Sequence, residues 1–476
     1  MLLRKLLAAL LVLILIGAAG FAALAWRSEI DPVQQIAATD LKPEAVAHGA
    51  ELATIGNCNV CHTAKGGEVF AGGLPLPTPF GTVYSTNITP DPDTGIGRWS
   101  EAAFLRAMRE GVDREGHHLY PAFPYDHFTL VTDEDVGSIY AFLMTRRPVR
   151  ATAPANGLPF PLNVRPILAG WKLLFLHKGP YVADAAQSPE WNRGRYLAEG
   201  LAHCGACHTP RNRFGAERRD ARFGGGEAEG WNAYPINAAS PAPVPWDADA
   251  LTAFLRQGWH PVHGTARGPM SPVTTDLGSV PEADARAIAV YVASVMGEPS
   301  AERKAQGEAL LRGLEPADTG SVPSSGDSLT VPNPGDVPQG DAKAAGGGSA
   351  GEAIYVGACS ACHDSGRPLP FGGLHLALST AVHASNPKNI ANVVFAGLAQ
   401  SPGESSAVMP GFAGALSDEQ TVELLTYLRA RFTDFPPWDD LPAIVRQARA
   451  DIPGLTRHPT PGNQAAPADT SPKVTQ

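Results

Sequence analysis

Three short stretches decide the fold of this chain: Cys58-Asn-Val-Cys61-His62, Cys204-Gly-Ala-Cys207-His208 and Cys359-Ser-Ala-Cys362-His363. In this spacing two sulfurs can reach the two vinyl groups on one edge of a porphyrin, while the next histidine turns under the ring to bind iron. The three motifs use all six cysteines of the chain. The sequence therefore predicts three covalently bound haem c groups, each with its motif histidine as the proximal iron ligand.

A zinc site is the main alternative interpretation of paired cysteines. Two pairs that share a zinc ion usually lie about 15–20 residues apart, whereas these pairs are much further apart in the chain. Zinc also requires no histidine after every pair. A thioredoxin-like redox pair needs a βαβ setting and is rarely repeated three times, and disulfides are less favoured still.

The N-terminus carries an export signal. Arg4 and Lys5 precede an uncharged apolar run from Leu6 to Ala25, and about 20 such residues can span a bilayer, which exceeds the 7–15-residue core of a cleaved signal peptide. We predict an uncleaved anchor, with cleavage after Ala25 as the alternative. The preceding positive charges place the start of the chain in the cytoplasm and the rest outside.

Helical patterns flank each motif. One precedes it, at 44–56, 190–202 and 350–357, and another follows it after a start that resembles a capping box, at Thr132, Ser279 and Ser417. This order of helix, haem motif, loop and helix resembles class I cytochromes c. The predicted fold class is all-α, with three tandem class I cytochrome c domains behind an N-terminal transmembrane or signal helix.

Composition and these repeats give the predicted boundaries. They are a signal or membrane anchor at 1–27, cytochrome c domains at 40–150, 187–300 and 351–435, an interdomain connector at 151–186, a flexible linker at 301–350 and a C-terminal tail at 436–476. Residues 316–351 are rich in Pro, Gly, Ser, Asp and Ala, and 457–476 are predicted to be disordered. A net charge of −10 argues against nucleic acid as a partner.

The connector contains a bulky apolar stretch, from Ile167 to Leu176. Isolated apolar connectors usually bury themselves, so we expect this one to pack across the first two domains. The alternatives are contact with a membrane interface or with a partner protein.

The loops share a register of 12-residue steps, which places Met270 and Met409 at one equivalent position. The steps run from Trp99 through Gly111 to Phe123, from Trp246 through Gly258 to Met270, and from Gly397 to Met409. A thioether as sixth ligand favours Fe(II) and raises the potential. Met270 and Met409 are the predicted sixth ligands of the second and third haems.

The first domain departs from this pattern because Phe123 cannot bind iron. The register aligns Met108 with Leu255 and Val394, so we expect it in a helix core, and Met144 likewise. The remaining candidates are histidines, with His118 first, His127 next and His117 also considered, beside a five-coordinate iron. Two histidine ligands would lower the potential of this haem, as suits an electron entry point.

Further motifs resemble the triple-haem cytochrome c subunits of membrane-bound bacterial dehydrogenases. They are His48-Gly-Ala-Glu-Leu-Ala53, Phe80-Gly-Thr-Val-Tyr-Ser-Thr-Asn-Ile-Thr-Pro-Asp91, Gly95-Ile-Gly-Arg-Trp-Ser100, Leu119-Tyr-Pro-Ala-Phe-Pro-Tyr125 and Cys204-Gly-Ala-Cys-His-Thr-Pro-Arg-Asn212. Better-known members carry methionine where this chain has Phe123. The phenylalanine form resembles the branch paired with molybdenum hydroxylases.

The resemblance implies a subunit at the periplasmic side of the bacterial inner membrane. It would anchor a molybdopterin, PQQ or flavin dehydrogenase acting on an alcohol, sugar, gluconate, aldehyde or N-heterocycle, and would pass electrons to ubiquinone or a terminal oxidase. Asn87 and Trp99 are expected to line the first haem, with Trp231 and Asn237 near the second; packing is the alternative role for both tryptophans.

The predicted function is electron transfer, without catalysis by this chain alone. The sequence contains no dinucleotide-binding Gly-x-Gly-x-x-Gly after a strand and no spare cysteine cluster. Three covalent haems are suited to carrying electrons in series from one haem to the next. One alternative is peroxidase-like chemistry at an open first haem. Another is a cytochrome subunit of a terminal oxidase, which would receive electrons rather than collect them.

Overall fold

The computed structural model describes residues 1–314, 348–367, 372–398 and 408–451. These residues form two compact units, Met1–Leu310 and Leu311–Gln476. Both are built mainly from helices, which confirms the predicted all-α class. The rest of the predicted linker at 315–347 and the tail at 457–476 lie outside the described residues.

The first unit contains the first two haem motifs. Its helices are α1 (Leu2–Ala25), α2 (Pro43–Ile55), α3 (Cys58–Cys61), α4 (Glu101–Glu110), α5 (Tyr125–Phe128), α6 (Asp133–Met144), α7 (Leu168–Phe175), α8 (Pro189–Tyr196), α9 (Gly205–His208), α10 (Ala248–Gln257), α11 (Met270–Ser279), α12 (Glu282–Met296) and α13 (Ala301–Leu314), the last continuing past the unit boundary. Three two-stranded antiparallel hairpins are formed by β1 (Pro75–Thr78) with β2 (Gly81–Tyr84), β3 (Gly226–Ala228) with β4 (Trp231–Ala233), and β5 (Trp259–His260) with β6 (Gly264–Thr265).

The second unit contains the third motif and a core of its own. Its helices are α14 (Ala350–Ala358), α15 (Ser360–His363), α16 (Thr380–His383), α17 (Lys388–Ala396), α18 (Asp418–Phe432) and α19 (Leu441–Asp451). The buried core includes Tyr355, Phe395, Leu425 and Val445.

Each haem motif follows a helix that packs against the last helix of its repeat through a glycine. The pairs are α2 with α6, α8 with α12, and α14 with α18. A Cβ atom built on Gly49, Gly194 or Gly351 would overlap a backbone carbonyl of the partner helix. Glycine therefore allows the two backbones to approach closely, and it does so at matching places in all three repeats.

Compared with the first repeat, the second contains one extra residue in this leading segment and the third contains one fewer. Gly194 is one residue further from Cys204 than Gly49 is from Cys58. Helix α8 continues as a π-helical turn, Leu197–Leu201. A π turn accommodates one additional residue without ending the helix, so the glycine contact and the haem motif keep their relation.

A single apolar core runs through both repeats of the first unit, from Leu52 in α2 to Val292 in α12. Polar contacts join the same two repeats, since the Tyr196 hydroxyl donates to the Asp135 carboxylate at 2.5 Å. The first two predicted domains therefore pack as one body. Their separate boundaries stay a prediction.

The linker and tail boundaries require correction. Residues 301–314, placed in the linker, form α13, which packs on the first unit: Arg303 donates to the Ser240 carbonyl at 2.7 Å. The predicted tail from 436 contains α19, whose Val445 is completely buried. Apolar residues at helical spacing explain both the helix and its burial: Leu441, Val445 and Ala448 face the core.

Two of the three expected helix starts are confirmed, and one of them is a complete capping box. The Thr132 hydroxyl accepts from the Asp135 amide at 3.2 Å, and Ser417 forms a complete capping box with Gln420. The prediction at Ser279 was wrong: α12 starts after Pro281, and the Ser279 hydroxyl donates to the Asp276 carbonyl in α11. Proline's fixed φ suits a helix start without a side-chain cap.

Helix α1 is the described helix that is long and apolar enough to cross a membrane. None of its residues is buried. Helix α7 of the connector lies beside its C-terminal end, where a Cβ built on Gly170 would meet a Phe21 ring carbon at 3.7 Å.

Candidate haem sites

The three Cys-x-x-Cys-His motifs adopt the same tight helical turn. In each, the histidine amide donates to the carbonyl of the first cysteine at 3.0 Å, as in His62 to Cys58, His208 to Cys204 and His363 to Cys359. This bond closes one turn, and residues three apart lie on the same face of a turn. The two sulfurs of a motif are thus presented together, with the histidine immediately after them.

Each motif histidine is oriented by a backbone carbonyl. The Nδ1 atoms of His62, His208 and His363 lie 2.6, 2.7 and 2.7 Å from the carbonyl oxygens of Thr86, Tyr234 and Leu374 respectively. A carbonyl oxygen can only accept, so Nδ1 carries the proton and Nε2 keeps a free lone pair. This is the protonation state in which an imidazole binds a metal, with its other nitrogen held by a second partner.

Burial supports this neutral state. It lowers the pKa of His62 and of His208, while the hydrogen bonds to Thr86 and Tyr234 act in the opposite direction. Desolvation favours the uncharged form. Both imidazoles are therefore neutral and available for iron at neutral pH.

Equivalent loops in the first two repeats position the carbonyl groups that bind Nδ1 of His62 and His208. The amides of Phe70 and Phe223 donate to the threonine hydroxyls that follow the motif, at 3.2 and 3.1 Å. Both phenylalanines have positive φ, 65° and 55°. Their carbonyls accept from Ile88 and Ile236 at 2.9 Å, two residues beyond the carbonyls that hold the histidines.

Sequence reasoning missed these acceptors because they are backbone atoms. A signal for the loop was nevertheless present, since a Phe-x-Gly triplet follows every motif, at Phe70, Phe223 and Phe371. The amides of Gly72 and Gly225 donate to the carbonyls of His62 and His208 at 2.7 and 2.8 Å. Phe371 itself lies outside the described residues.

The six cysteines form no disulfide with one another. Burial, above all, raises the pKa of Cys58 and Cys204 to about 12 and that of Cys61 and Cys359 to about 11. Among the described residues, no cluster of three or more His, Cys, Asp and Glu side chains suited to a metal includes a cysteine. This donor set fits covalent haem attachment and disfavours structural zinc.

The predicted methionine ligands occupy the equivalent loops expected from the register. Gly111, Gly258 and Gly397 end α4, α10 and α17 with φ of 59°, 67° and 70°. Met270 begins α11 in a partly buried position. Met409 exchanges two backbone hydrogen bonds with Leu398, at 2.7 and 3.0 Å. Iron ligation by both methionines stays a prediction.

The other two methionines considered are core residues, as expected. Met108 and Met144 are each 4% exposed. Leu255 and Val394, the register partners of Met108, are buried too. The 12-residue register is thus confirmed at the three glycines that end helices and at the buried position three residues before each of them.

Phe123 occupies the position of the missing methionine and packs against aromatic rings. Its ring centroid lies 5.3 Å from that of Phe128 and 6.5 Å from that of Tyr125. The loop that would carry the sixth ligand of the first haem therefore has aromatic side chains around position 123.

The candidate histidines of this loop all have other partners. His118 is buried, with Nε2 3.0 Å from the Ala25 carbonyl and Nδ1 2.9 Å from Lys172 Nζ. Iron ligation by His118 would require it to give up one of these bonds, and it stays a prediction.

His127 and His117 are also engaged. His127 bonds the Glu199 carbonyl and the Glu217 carboxylate, both at 2.6 Å, and so joins the first two repeats. His117 is exposed and lies 3.3 Å from Asp113.

The residues expected to line the haems hold the loops together. Asn87 donates to the Val149 carbonyl at 2.7 Å and Asn237 to the Arg222 carbonyl at 3.0 Å. The Trp99 carbonyl accepts from the Tyr140 hydroxyl at 2.7 Å. Gly268 packs directly against the Trp231 ring. Contact of these four residues with haem stays a prediction.

A helical Cys-x-x-Cys-His turn, a histidine fixed through Nδ1, and leading and final helices crossed at a glycine define a c-type cytochrome. The family described as "Cytochrome c" matches residues 46–147. The family described as "Cytochrome C oxidase, cbb3-type, subunit III" matches residues 347–428. The two matches fall on the first and third repeats.

Comparison with known proteins shows which c-type cytochromes this chain is similar to. The chain is 43% identical over 433 residues to a nicotinate dehydrogenase subunit of Pseudomonas putida, covering 90% of this chain and 34% of that one. It therefore spans about a third of the length of this relative. It is 33% identical to the fructose dehydrogenase cytochrome subunit of Gluconobacter japonicus, covering 84% and 82% of the two chains. It is 35% identical to the gluconate 2-dehydrogenase cytochrome c subunit of Pantoea cypripedii, covering 81% and 85%.

The chain belongs to the family of cytochrome c subunits of membrane-bound dehydrogenases. As such it binds haem c covalently and transfers electrons.

Proposed function

We propose that this chain is a three-haem electron-transfer subunit, which takes electrons from a periplasmic dehydrogenase partner and passes them to ubiquinone or a terminal oxidase at the bacterial inner membrane. The observation that carries the haem number is the threefold repetition of one geometry. All three motif histidines have Nδ1 bound to a backbone carbonyl, at 2.6 to 2.7 Å. A motif that had lost its haem would have no reason to keep that arrangement.

Each repeat supplies its haem with two cysteines and a motif histidine. Thioether bonds form from Cys58 and Cys61, Cys204 and Cys207, and Cys359 and Cys362, and the motif histidines are the proximal ligands. Met270 and Met409 complete the second and third sites. The haem iron supplies one-electron exchange between Fe(III) and Fe(II), and the protein sets its potential through these ligands and through burial.

The first haem is the proposed entry point, with His118 as its sixth ligand. Phe123 leaves no thioether at this site, and a second imidazole would hold the potential below those of the two His/Met haems. In a His118→Ala variant we expect the spectrum of one haem to change and the other two to stay the same. Three closely matched high potentials in a redox titration, or an unchanged His118→Ala spectrum, would contradict this assignment.

The substrate is oxidised by the partner subunit. Relatives named for nicotinate, fructose and gluconate dehydrogenases align with most of this chain, which supports a shared electron carrier joined to different catalytic subunits. The higher identity to the nicotinate dehydrogenase subunit agrees with the Phe123 resemblance. Both favour a molybdopterin partner for an aldehyde or N-heterocycle over a PQQ or flavin partner.

Membrane attachment is proposed through α1, which favours a lipid-soluble electron acceptor. A cavity of about 260 Å³ lies at the C-terminal end of α1 and is lined in part by Leu24, Lys172 and Leu176. Five of its ten lining residues are apolar and five are ionisable, so it offers a small molecule both apolar contacts and polar groups. This cavity supports ubiquinone as acceptor over a terminal oxidase.

The test is purification of the complex from membranes, with haem counted per chain. We expect three haems, a copurifying dehydrogenase, and haem reduction when the substrate of that dehydrogenase is added. A Cys359→Ala, Cys362→Ala double variant should retain two haems. Copurification with an oxidase and no dehydrogenase would contradict the proposal, and rapid carbon monoxide binding at one reduced haem would indicate an open first iron.

A further inference from the structure

Helix α7 has one face packed on the protein and one face exposed. On the packed face, the Trp171 ring meets the Tyr125 ring edge-on at 6.0 Å, and its indole nitrogen donates to the Phe214 carbonyl at 3.0 Å. Tyr125 belongs to the first repeat and Phe214 to the second. The expectation that the connector packs across both repeats therefore describes only this face.

The other face is strongly apolar. Leu173 and Leu174 are 69% and 66% exposed. Beyond α1, six of the twelve large apolar side chains exposed among the described residues belong to this segment. These six residues, which lie within 23 residues of the sequence on and around α7 and which we call the connector patch, are Phe160, Val164, Ile167, Leu173, Leu174 and Val182. Such clustering on a soluble surface indicates a binding surface.

The position of α1 indicates what covers the patch. The uncharged run from Leu6 to Ala25 rises about 30 Å, the thickness of the hydrocarbon core of a bilayer. Its outer end thus coincides with Trp26, which is exposed, and tryptophan favours the membrane interface. The membrane boundary therefore lies near the end of α1.

Helix α7 lies at the depth of that boundary. Gly170 packs beside Phe21, and Phe21 is four residues, or about 6 Å, before the end of α1. Helices that lie in a membrane interface insert their apolar face about 5–10 Å into the boundary between headgroups and acyl chains. A helix in contact with Phe21 is within this range.

Basic side chains border the patch. Arg165 and Lys178 flank α7 in the chain, and Arg27 follows α1. Arg165 and Lys178 are partly exposed although they face Asp113 and Glu110. Long cationic side chains can extend to lipid phosphates while their stems stay on apolar surface.

We propose that the connector patch inserts into the outer leaflet of the membrane, so that the first unit contacts lipid through α7 as well as through α1. The contact between Trp171 and Tyr125 then fixes the loop of Phe123, and with it the first haem site, close to the membrane surface. A single transmembrane helix would leave the unit free to rotate and tilt, and a second contact removes that freedom.

The experiment uses the full-length, haem-loaded protein in phospholipid liposomes. Spin labels are attached to Leu173→Cys and, separately, Leu174→Cys, and collisions with dissolved oxygen and with a water-soluble nickel complex are measured. Val69→Cys is the matched control, because Val69 is also exposed and apolar but lies outside the patch. All three side chains are exposed, so we expect the substitutions to leave the fold intact.

In lipid, oxygen collisions should exceed nickel collisions several-fold at 173 and 174, with the reverse at 69. If 173 and 174 resemble 69, the proposal is wrong. Protection of 173 and 174 from both reagents only when the dehydrogenase partner is bound would assign the patch to that protein and also overturn the proposal. Flotation of the protein with the liposomes reports the α1 anchor separately.

Discussion

The helix crossing in the second unit permits a sharp test, because α14 carries two glycines in opposite settings. A Cβ at Gly351 would overlap the Glu423 carbonyl of α18 and also lie 2.9 Å from Tyr427 Cβ. A Cβ at Gly357 would meet nothing within 4 Å. Alanine at the two positions should therefore have effects of opposite sign.

The expected magnitude for Gly351→Ala follows from two opposing effects. Separating the two backbones, by on the order of 1 Å, disrupts a close-packed contact and costs about 1–3 kcal/mol. Alanine returns less than about 1 kcal/mol through its higher helix propensity, since Gly351 lies in the first turn. The net loss is about 1–2 kcal/mol. In Gly357→Ala only the favourable effect remains, at about 0.5–1 kcal/mol.

Hydrogen–deuterium exchange read by mass spectrometry localises the effect in the full-length protein. Every 1.4 kcal/mol is a factor of ten, so amides of α14 and α18 should exchange roughly 5–30 times faster in Gly351→Ala and slightly slower in Gly357→Ala. Peptides of the first unit serve as an internal reference. Equal changes in the two variants would refute the proposed close crossing.

Three further predictions follow from the sites and the corrected boundaries. Met270→Leu and Met409→Leu should each lower the midpoint potential of one haem in a spectroelectrochemical titration, since each removes a thioether; unchanged potentials would rule out ligation. Val445→Ala should cost about 2 kcal/mol of stability in the second unit, measured by exchange in α19. Burial opposes both charges of the His127–Glu217 pair, but their hydrogen bond and attraction prevail, so the pKa of His127 is raised and that of Glu217 lowered. The stability that this pair gives the first unit should be greatest between pH 4.5 and 6.5, which are the ordinary pKa values of the two groups. It should decline as the pH rises through the folded pKa of His127, or falls through that of Glu217. A His127→Gln variant should therefore show a flatter profile of melting temperature against pH.

Much of the fold could be predicted because its signals are local. The helices before the motifs were expected at 44–56, 190–202 and 350–357 and begin at Pro43, Pro189 and Ala350. Helical periodicity and the fixed spacing of the haem turn contain this information in the sequence itself. The glycine register worked for the same reason, because Gly111, Gly258 and Gly397 end helices with positive φ.

The wrong or missed predictions concern features that depend on tertiary contacts, which a local sequence pattern does not contain. Residues 434–438, Asp-Phe-Pro-Pro-Trp, contain two prolines and are typical of a chain leaving a domain. Instead the Trp438 indole donates to the Ala384 carbonyl at 2.8 Å and turns the chain back, so that α19 covers the core. The carbonyl acceptors of the histidines were unpredictable for a related reason: any residue can supply them, and only the loop path selects which one does.

The division between repeated and unrepeated features indicates where partner specificity lies. The features that hold haem recur with the repeat: the cysteine turn, the carbonyl behind each histidine and the glycine crossing. Relatives named for three different dehydrogenases retain 33–43% identity over most of this chain, as expected if those features are shared. The features that occur once include α1, the connector with α7, α13, α19 and the loop in which Phe123 replaces a methionine. Because the repeated elements bind haem in the same way in every repeat, we expect the contacts that distinguish the dehydrogenase from the electron acceptor to depend on the unrepeated elements.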